Sequence, residues 1–379
     1  MKKVFAVLLI VAMMATLFAG CGAKEGSDAL KIGAIGPLTG GAAVYGQAVK
    51  AGMEIAVEEI NAMDGLKVEL NFLDDEHDPE KAVNQYNKLK DWGMQVLGGT
   101  VTTGPCKAVA PECVADRIFL LTPSASDPSI PTLGDNIFQI CFTDTNQGTA
   151  SAELILEKNL GTNIGVIYDT SDAYSSGIYE TFKAVAEEEN MNIVCVETFT
   201  DANKSDLTTQ VTKCQEAGAD LVFLPFYATE AAQVLTYANK IGYAPIFFGC
   251  DGMDGILEVE NFDGAMAEGL IMLTPFAADA DDDATKSFVA KYQEKTGVVP
   301  NQFAADGYDV IYALYYAAEA AKIDGSTSPE AACAAIMEQF TNMTFDGLTG
   351  KGIEFAADGT VAKDPTAVVI KDGAYVGIG

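Results

Sequence analysis

The sequence predicts an α/β protein with two lobes, each built around a parallel sheet. Apolar strands alternate with amphipathic helices from Leu30 onward, the pattern of a parallel sheet covered by helices. This alternation restarts near Ser151, which indicates a second sheet. The chain has 379 residues, 49% of them hydrophobic, enough for two domains of ordinary size with cores of their own.

The N-terminal segment is predicted to be a targeting sequence. Two lysines precede an apolar run from Val4 to Met14, which is too short to span a bilayer, so residues 1–20 are interpreted as a secretory signal. The following Leu17-x-x-Gly20-Cys21 resembles the lipobox of bacterial lipoproteins, which implies a lipid on Cys21 and a tether over residues 21–28. The alternative is an ordinary secretory cut that leaves Cys21 as a free thiol.

Charge and cysteine content exclude several classes of protein. The net charge of −31 repels nucleic acids and anionic lipid surfaces. Arg117 is the only arginine, so a site built on arginine clamps for dicarboxylates or phosphate esters is not expected, and we expect Arg117 itself at the surface. The seven cysteines beyond Cys21 contain no C-x-x-C pair, and we expect them to be free and mostly buried.

The first lobe begins with a strand, Leu30 to Ile35, and a long helix over Tyr45 to Asn61, whose apolar positions recur at helical spacing. A half-buried strand, Val68 to Phe72, follows, and Asp78-Pro79 is typical of a helix start. Three further strands are predicted at Met94 to Leu97, Ile118 to Leu121 and Ile137 to Phe142. A helix is predicted to begin at Gly104-Pro105, after the first of these strands.

Small polar turns follow two of these strands. Thr100, Thr102 and Thr103 come after the first, and Thr122 to Asp127 after the second. The carboxyl ends of parallel strands are where ligands bind in open α/β sheets, and a helix N-terminus there offers N–H groups to an anion. The two turns therefore indicate a site for the carboxylate of a small molecule. Two ordinary turns with capping hydroxyls are the alternative.

The second half of the chain repeats the pattern. Strands are predicted at Ile164–Tyr168, Ile193–Thr198, Leu221–Pro225, Ile246–Phe248 and Leu270–Leu273. Helices are predicted at Gly177–Glu189, Ser205–Glu216, Thr229–Ile241, Ala284–Lys295, Asn301–Lys322 and Pro329–Gln339. Short strands near Ile353–Phe355 and Ala367–Ile370 complete the chain.

No motif for common catalytic chemistry is present. The sequence lacks the phosphate-binding loop, the nucleophile elbow and the paired-histidine zinc motif. His77, the only histidine, lies in an acidic turn that is interpreted as a solvated surface turn and not as a metal site. The sequence therefore predicts no catalytic residues, no cofactor and no metal.

Several segments together resemble the Leu/Ile/Val-binding family, the extracytoplasmic substrate-binding proteins of ABC transporters. These segments are Leu30–Gly40, Tyr45-Gly46, Asp74-Asp75, Asp78-Pro79, Thr122–Pro128 and Gln147-Gly148. The resemblance implies two Rossmann-like lobes joined by three hinge crossings, near Thr143–Gln147, Thr274–Phe276 and Ala362–Thr366. Residues 29–145 plus 276–362 would form the first lobe, and residues 146–275 plus 363–379 the second.

The resemblance also implies the residues that bind the ligand. In the first lobe, Thr102 would hold the ligand carboxylate together with the loop of Ser124, Ala125 and Ser126. Asp251 of the second lobe would receive the ligand ammonium. The aromatic residues of the site would be Tyr45, Tyr174, Tyr227 and Phe303.

Two positions depart from the leucine-binding prototype of this family. That prototype has Glu where this chain has Asp251, so the ligand would lie deeper or bind through water. The prototype also has a disulfide at the places that His77 and Val101 occupy, so that bond is absent here.

The function that the resemblance implies is a receptor for amino acids, namely branched-chain amino acids, that delivers its ligand to an ABC permease. It would be a monomer anchored by lipid outside the cytoplasmic membrane. The alternatives are the same fold binding an amide or a small organic acid as a sensor or importer component, and a secreted enzyme.

Overall fold

The computed structural model describes residues 28–363 and 365–378. Cys21, the predicted signal segment and most of the predicted tether lie outside the described residues. In the part that is described, no helix is both long and apolar enough to cross a membrane.

The first lobe is built around a five-stranded parallel sheet with strand order β2-β1-β3-β4-β5. Its strands are β1 (Leu30–Gly36), β2 (Val68–Asp74), β3 (Val96–Leu97), β4 (Phe119–Thr122) and β5 (Ile137–Gln139). The connecting helices are α1 (Ala43–Ala62), α2 (Pro79–Trp92) and α3 (Thr103–Asp116). As the sequence predicts, Asp78 caps α2 by accepting a hydrogen bond from the Lys81 N–H.

The second lobe is built around a seven-stranded sheet with order β14-β13-β10-β9-β8-β6-β7. Its strands are β6 (Ile164–Asp169), β7 (Ile193–Phe199), β8 (Leu221–Leu224), β9 (Ile246–Gly249), β10 (Ile271–Thr274), β13 (Thr366–Lys371) and β14 (Ala374–Gly377). Its helices are α4 (Asp144–Glu157), α5 (Ala173–Glu188), α6 (Thr208–Glu216) and α7 (Ala228–Ile241). The prediction of a parallel second sheet is wrong at one edge, because β13 and β14 pair antiparallel.

Three later helices return to the first lobe. They are α8 (Asp283–Thr296), α9 (Gln302–Ala321) and α10 (Pro329–Phe340), and a small hairpin of β11 (Thr344–Phe345) and β12 (Ile353–Glu354) follows them. Helix α9 packs along α1 and α10 packs on β4. Within the described residues, the chain therefore passes between the lobes three times, after β5, after β10 and before β13. The predicted two-lobed α/β fold is confirmed.

Two glycines allow helices α1 and α9 to lie unusually close. A β-carbon at Gly52 would lie 1.9 Å from the Ala304 carbonyl oxygen, and one at Gly307 would lie 2.4 Å from the Val49 carbonyl oxygen. The close approach places the N-terminal turns of both helices side by side at the edge that faces the second lobe. Each of these turns carries an aromatic residue of the predicted site, Tyr45 on α1 and Phe303 on α9.

The structure contains elements that the sequence analysis did not predict. Helix α4 begins at Asp144, within the segment expected to be a hinge, and Thr143 caps it. Strand β14 was missed because its four residues are mostly exposed and carry no buried apolar run. The helix expected from Gly177 begins earlier, at Ala173, so Tyr174 lies in its first turn.

Candidate ligand-binding cleft

The first-lobe wall of the cleft is formed where β3 ends and α3 begins. Thr102 is the N-cap of α3, and its side chain makes no capping hydrogen bond. The Thr102 hydroxyl lies 2.9 Å from Nδ1 of His77. The hydroxyl of Thr103 is buried and has no hydrogen-bond partner among the described residues. Because an unpaired buried hydroxyl costs free energy, Thr103 is a ready donor for an anion at this helix N-terminus.

The loop after β4 is tied down by its own hydrogen bonds. Ser124 donates its hydroxyl to the Val101 carbonyl at 2.7 Å, and the Ala125 N–H donates to the Thr122 hydroxyl at 3.0 Å. Ser126 is buried, and its hydroxyl has no partner among the described residues. The structure does not bring Ala125 or Ser126 to the cleft cavity, whereas Ser124 reaches it.

The second-lobe wall is formed by the turn that follows β9. Asp251 Oδ1 accepts a hydrogen bond of 2.6 Å from the Tyr174 hydroxyl, and that hydroxyl accepts one of 2.8 Å from the Gly252 N–H. Gln147, on the first turns of α4, accepts a hydrogen bond from the Asp251 N–H at 3.0 Å. Three elements of the second lobe thus fix the position of one carboxyl group.

Burial changes the ionisation of this carboxyl group. Asp251 is 3% exposed, and its loss of solvation raises its pKa to about 6, although the hydrogen bond from Tyr174 opposes that rise. Burial likewise raises the pKa of Asp254, three residues along, to about 6. The carboxyl group of Asp254 faces a different partner, the Gln302 N–H, at 2.8 Å.

Four aromatic rings lie between these two walls. Tyr227 stacks on Tyr174 with ring centroids 5.0 Å apart. Tyr45 lies against both Tyr227 and Phe303, at centroid distances of 5.3 Å and 4.8 Å. The Tyr45 hydroxyl donates to the Gly252 carbonyl at 2.6 Å and accepts from the Ala228 N–H at 2.8 Å.

The hydrogen bonds of Tyr45 join the lobes, because Tyr45 belongs to the first lobe and both of its partners to the second. Thr229 of the second lobe also donates to the Gly41 carbonyl of the first at 2.6 Å. The lobes are therefore in direct contact and the cleft is closed.

The walls and rings enclose one small cavity. The volume of this cavity is about 10 Å³, close to what one water molecule needs. The side chains consequently pack against one another, and a larger molecule would have to displace them or the lobes. The lining residues are Tyr45, Val101, Thr102, Thr103, Ser124, Tyr174, Tyr227, Asp251, Gly252 and Phe303.

Seven of the nine residues that the sequence analysis singled out line this cavity. It missed Val101, Thr103 and Gly252. The signal for Thr103 was present, since it belongs to the hydroxyl-rich turn after β3, but the resemblance pointed to its neighbour Thr102. Gly252 contributes through its backbone, which a side-chain motif does not show.

The interpretation of His77 as a solvated surface residue is wrong. Its side chain is 24% exposed and lies between the lobes, with Nε2 4.0 Å from Asp172 Oδ2 of the second lobe. Glu76 and His77 both have positive φ angles, 54° and 61°, and this tight turn directs the imidazole inward onto Thr102 and Tyr227. Burial lowers the pKa of His77, so the ring is neutral at pH 7.

A second, larger cavity of about 260 Å³ lies beside the first, at the mouth of the cleft. Its lining includes His77, Asp169, Asp172, Lys204 and Glu230. Lys204 forms an ion pair with Asp201 at 2.8 Å and approaches Glu230 at 4.0 Å. Among the described residues, no group of three or more His, Cys, Asp and Glu side chains is arranged to hold a metal ion.

The sequence that forms these two lobes and their cleft matches the model of a known protein family. A family model described as periplasmic binding protein matches residues 29–374. The chain belongs to the periplasmic binding protein family. This family consists of solute-binding receptors and is not an enzyme family, and membership places the chain outside the cytoplasm.

This periplasmic binding protein is similar to several named proteins from other bacteria. It is 29% identical over 309 residues to the Leu/Ile/Val-binding protein homolog 3 of Brucella melitensis, covering 80% of this chain and 82% of that protein. It is 28% identical over 331 residues to the leucine-, isoleucine-, valine-, threonine- and alanine-binding protein of Pseudomonas aeruginosa, covering 86% and 85%. The crystal structure of a leucine-binding protein from Thermotoga maritima superimposes with a TM-score of 0.82 at 26% identity, covering 92% and 98%.

Proposed function

We propose that this protein is the amino-acid receptor of an ABC importer and that it binds a branched-chain amino acid in the cleft. The observation that carries the proposal is the opposition of unlike polar groups across the cavity. The second lobe presents the Asp251 carboxyl group, and the first presents the hydroxyls of Thr102 and Thr103. An α-amino acid carries the complementary pair, an ammonium and a carboxylate.

The chemistry of the two walls suits a zwitterion better than a plain acid. A buried charge is costly unless it is paired, and Asp251 has no cationic side chain against it in the cavity lining. A ligand ammonium would supply that partner. On the other wall, a carboxylate would receive neutral hydroxyl donors and the N-terminus of α3, and no arginine is needed.

The rings of Tyr45, Tyr174, Tyr227 and Phe303 would enclose an apolar ligand side chain. This arrangement agrees with the names of the relatives from Brucella melitensis and Pseudomonas aeruginosa, which describe binding of leucine, isoleucine and valine. Since the cavity is small in the closed conformation, we infer that the rings or the lobes move apart as the ligand enters.

The remaining features of the proposal concern assembly and location. The partner would be the membrane permease of the importer, which would recognise the closed lobes. Cys21 would carry the lipid that holds this monomeric receptor at the outer face of the membrane. We also propose that the lobes comprise residues 29–145 with 276–362 and residues 146–275 with 363–379, and that they rotate about the three crossings.

Isothermal titration of the mature chain, from residue 22 onward, with a panel of ligands tests the proposed function. The panel contains the common L-amino acids, their amides, the matching amines and small organic acids. We expect binding of leucine, isoleucine or valine, and much weaker binding of the matching amines and acids that lack one charge. Tight binding of a carboxylic acid that has no ammonium would contradict the amino-acid assignment and favour the organic-acid alternative.

A further inference from the structure

Two cysteines of the second lobe lie side by side, away from the ligand cleft. Cys195 is on β7 and Cys214 on α6, and their Sγ atoms are 2.9 Å apart. A disulfide has an S–S distance of about 2.05 Å, so a small side-chain adjustment would join them. Both are free thiols in the structure.

Gly165 on the neighbouring strand β6 makes room for this pair. Gly165 pairs with Cys195 across the two neighbouring parallel strands. A β-carbon there would lie 3.1 Å from Cys214 Sγ and 3.3 Å from Cys195 Sγ. The two sulfurs therefore occupy the space that a side chain at position 165 would fill.

The two thiols differ in a way that favours oxidation. Cys195 is half-buried on the edge strand of the sheet, where a reagent in solution can reach it. The hydrogen bond between the two thiols lowers the pKa of Cys195, although burial and the nearby Glu197 oppose that change. Cys214 is fully buried, and the same hydrogen bond together with burial raises its pKa. Cys195 is thus the nucleophile of the pair, because the thiolate is the attacking form.

We propose that Cys195 and Cys214 form a redox-active site that small disulfides oxidise to an intramolecular disulfide. The Cys195 thiolate attacks one sulfur of the oxidant, breaks its S–S bond and releases one thiolate equivalent, which leaves a mixed disulfide. Cys214 then loses its proton and attacks the Cys195 sulfur. The second half of the oxidant leaves as a thiolate, so the protein loses two hydrogens and the oxidant becomes two thiols.

The bond would close a loop that reaches the ligand cleft. The two cysteines are nineteen positions apart in the chain. The segment between them includes the end of β7 and the following loop. Asp201 and Lys204 of this loop line the larger cavity at the mouth of the cleft. A disulfide would restrict this segment in the unfolded chain and so stabilise the second lobe. Oxidising surroundings outside the cytoplasm would favour that state.

The remaining cysteines of the described chain provide an internal comparison. Cys106 and Cys113 lie seven residues apart on α3, where roughly two helical turns separate them, which is too far for a disulfide. Both are fully buried, and burial raises their pKa values. Thiol–disulfide exchange should therefore act on the Cys195–Cys214 pair first.

The test is oxidation of the folded mature chain with oxidised glutathione, followed by denaturation, alkylation and mass spectrometry. We expect the oxidised protein to lose two hydrogens, to take up two fewer alkyl groups than the reduced protein, and to yield one cross-linked peptide pair containing Cys195 and Cys214. Oxidation should also raise Tm by a few degrees, and dithiothreitol should reverse both changes.

Variants separate this assignment from other oxidations. Cys214→Ser should accumulate glutathione on Cys195 as a mixed disulfide, whereas Cys106→Ser should still form the cross-link. Seven alkylated cysteines after oxidation of the wild-type chain would overturn the proposal, and so would a cross-link between any other two cysteines. The wild-type measurement decides the matter even if a variant fails to fold.

Discussion

The two walls of the cleft differ in charge and in how firmly their polar groups are held. The first-lobe wall has neutral hydroxyls, and that of Thr103 has no hydrogen-bond partner in the described part of the chain. The second-lobe wall has an ionisable group, Asp251, already held by Tyr174 and by the turn that Gln147 fixes. The difference indicates that a ligand completes the first wall but neutralises the second.

This division explains why closure would depend on the ligand. Neither wall alone can satisfy both charges of an amino acid, because the anion donors and the carboxyl group belong to different lobes. A ligand shifts a conformational equilibrium only through contacts that differ between the two states. An amino acid touching both walls has such contacts in the closed state alone, and each variant below removes one part of them.

The largest effect is expected from Asp251→Asn. The change keeps the shape of the side chain and removes its charge, so a ligand ammonium loses its counter-ion. Removing one partner of a buried charge pair costs on the order of 2–5 kcal/mol, which corresponds to a loss of roughly 30-fold to several thousand-fold in affinity. Isothermal titration with the amino acid that the ligand panel identifies measures this loss of affinity.

Asp254→Asn is the matched control. This residue is equally buried and lies three positions away, but its carboxyl group faces Gln302 and does not line the cavity. Gln302 belongs to the first lobe, but asparagine keeps an oxygen that can accept its N–H, so affinity in the control should fall far less than in Asp251→Asn. Equal losses in both variants would mean that the turn after β9 has been disturbed and that Asp251 has no specific role.

The next effect concerns the opposite wall. Thr103→Val keeps the volume and removes the unpartnered hydroxyl, which leaves a ligand carboxylate without one donor. Hydrogen bonds to charged groups contribute about 1.5–3 kcal/mol, so affinity should fall roughly 10-fold to 150-fold. Thr100→Val is the control, because its hydroxyl is also buried and unpartnered but does not line the cavity. An unchanged affinity in Thr103→Val would mean that Thr102 alone, of these two threonines, donates to the ligand carboxylate.

The comparison of the walls also shows what the sequence could and could not predict. The two-lobed fold follows from the alternation of strands and helices, whereas Tyr45, Tyr227 and Asp251 were placed by the resemblance to the Leu/Ile/Val-binding family. His77 could not be placed from its acidic neighbours, because contacts with Thr102 and with Tyr227 and Asp172 of the other lobe take it out of solvent.

Hydrogen-bond satisfaction was equally hidden from the sequence. Ser124, Ala125 and Ser126 were expected to act together on the carboxylate, yet local bonds hold Ser124 and Ala125, and Ser126 does not line the cavity. Residue type alone does not tell which hydroxyl remains free. That depends on loop geometry, such as the 2.7 Å approach of Ser124 to the Val101 carbonyl.

A pH dependence should distinguish the two walls without mutation. Since the pKa of Asp251 is about 6 in the closed protein, roughly one molecule in ten carries the carboxylate at about pH 5, and affinity should fall about tenfold from pH 7. Folding stability changes in the opposite sense. The raised pKa means that the folded state holds this proton more tightly, so stability from this group decreases as pH rises from 3.8 towards 6.

Titration at several pH values with wild type and Asp251→Asn assigns the effect. The variant should lose the pH dependence, since the carboxyl group that titrates is gone. A dependence that persists would belong to other groups near the cleft. Burial raises the pKa values of both Asp172, which faces His77 across the lobes, and Asp254 to about 6, so these groups would be the sources to test next.

The smallest effect on affinity is expected from removing a direct contact between the two walls, at Tyr45. The hydroxyl of Tyr45 bridges Gly252 and Ala228 of the second lobe, at 2.6 Å and 2.8 Å. Tyr45→Phe keeps the ring in the aromatic wall and removes only this bridge. A hydrogen bond contributes about 0.5–1.5 kcal/mol net, so ligand affinity should fall roughly 2-fold to 10-fold.

Small-angle scattering tells whether Tyr45→Phe acts through closure. In that case the free variant should have a larger radius of gyration than the free wild type, and saturating ligand should bring both to the same value. Thr229→Val, which removes another hydrogen bond between the lobes, at Gly41, should enlarge the free protein in the same way. A Tyr45→Phe protein with weakened binding but unchanged dimensions would show that Tyr45 contacts the ligand directly, and the bridge would then be a consequence of closure and not one of its causes.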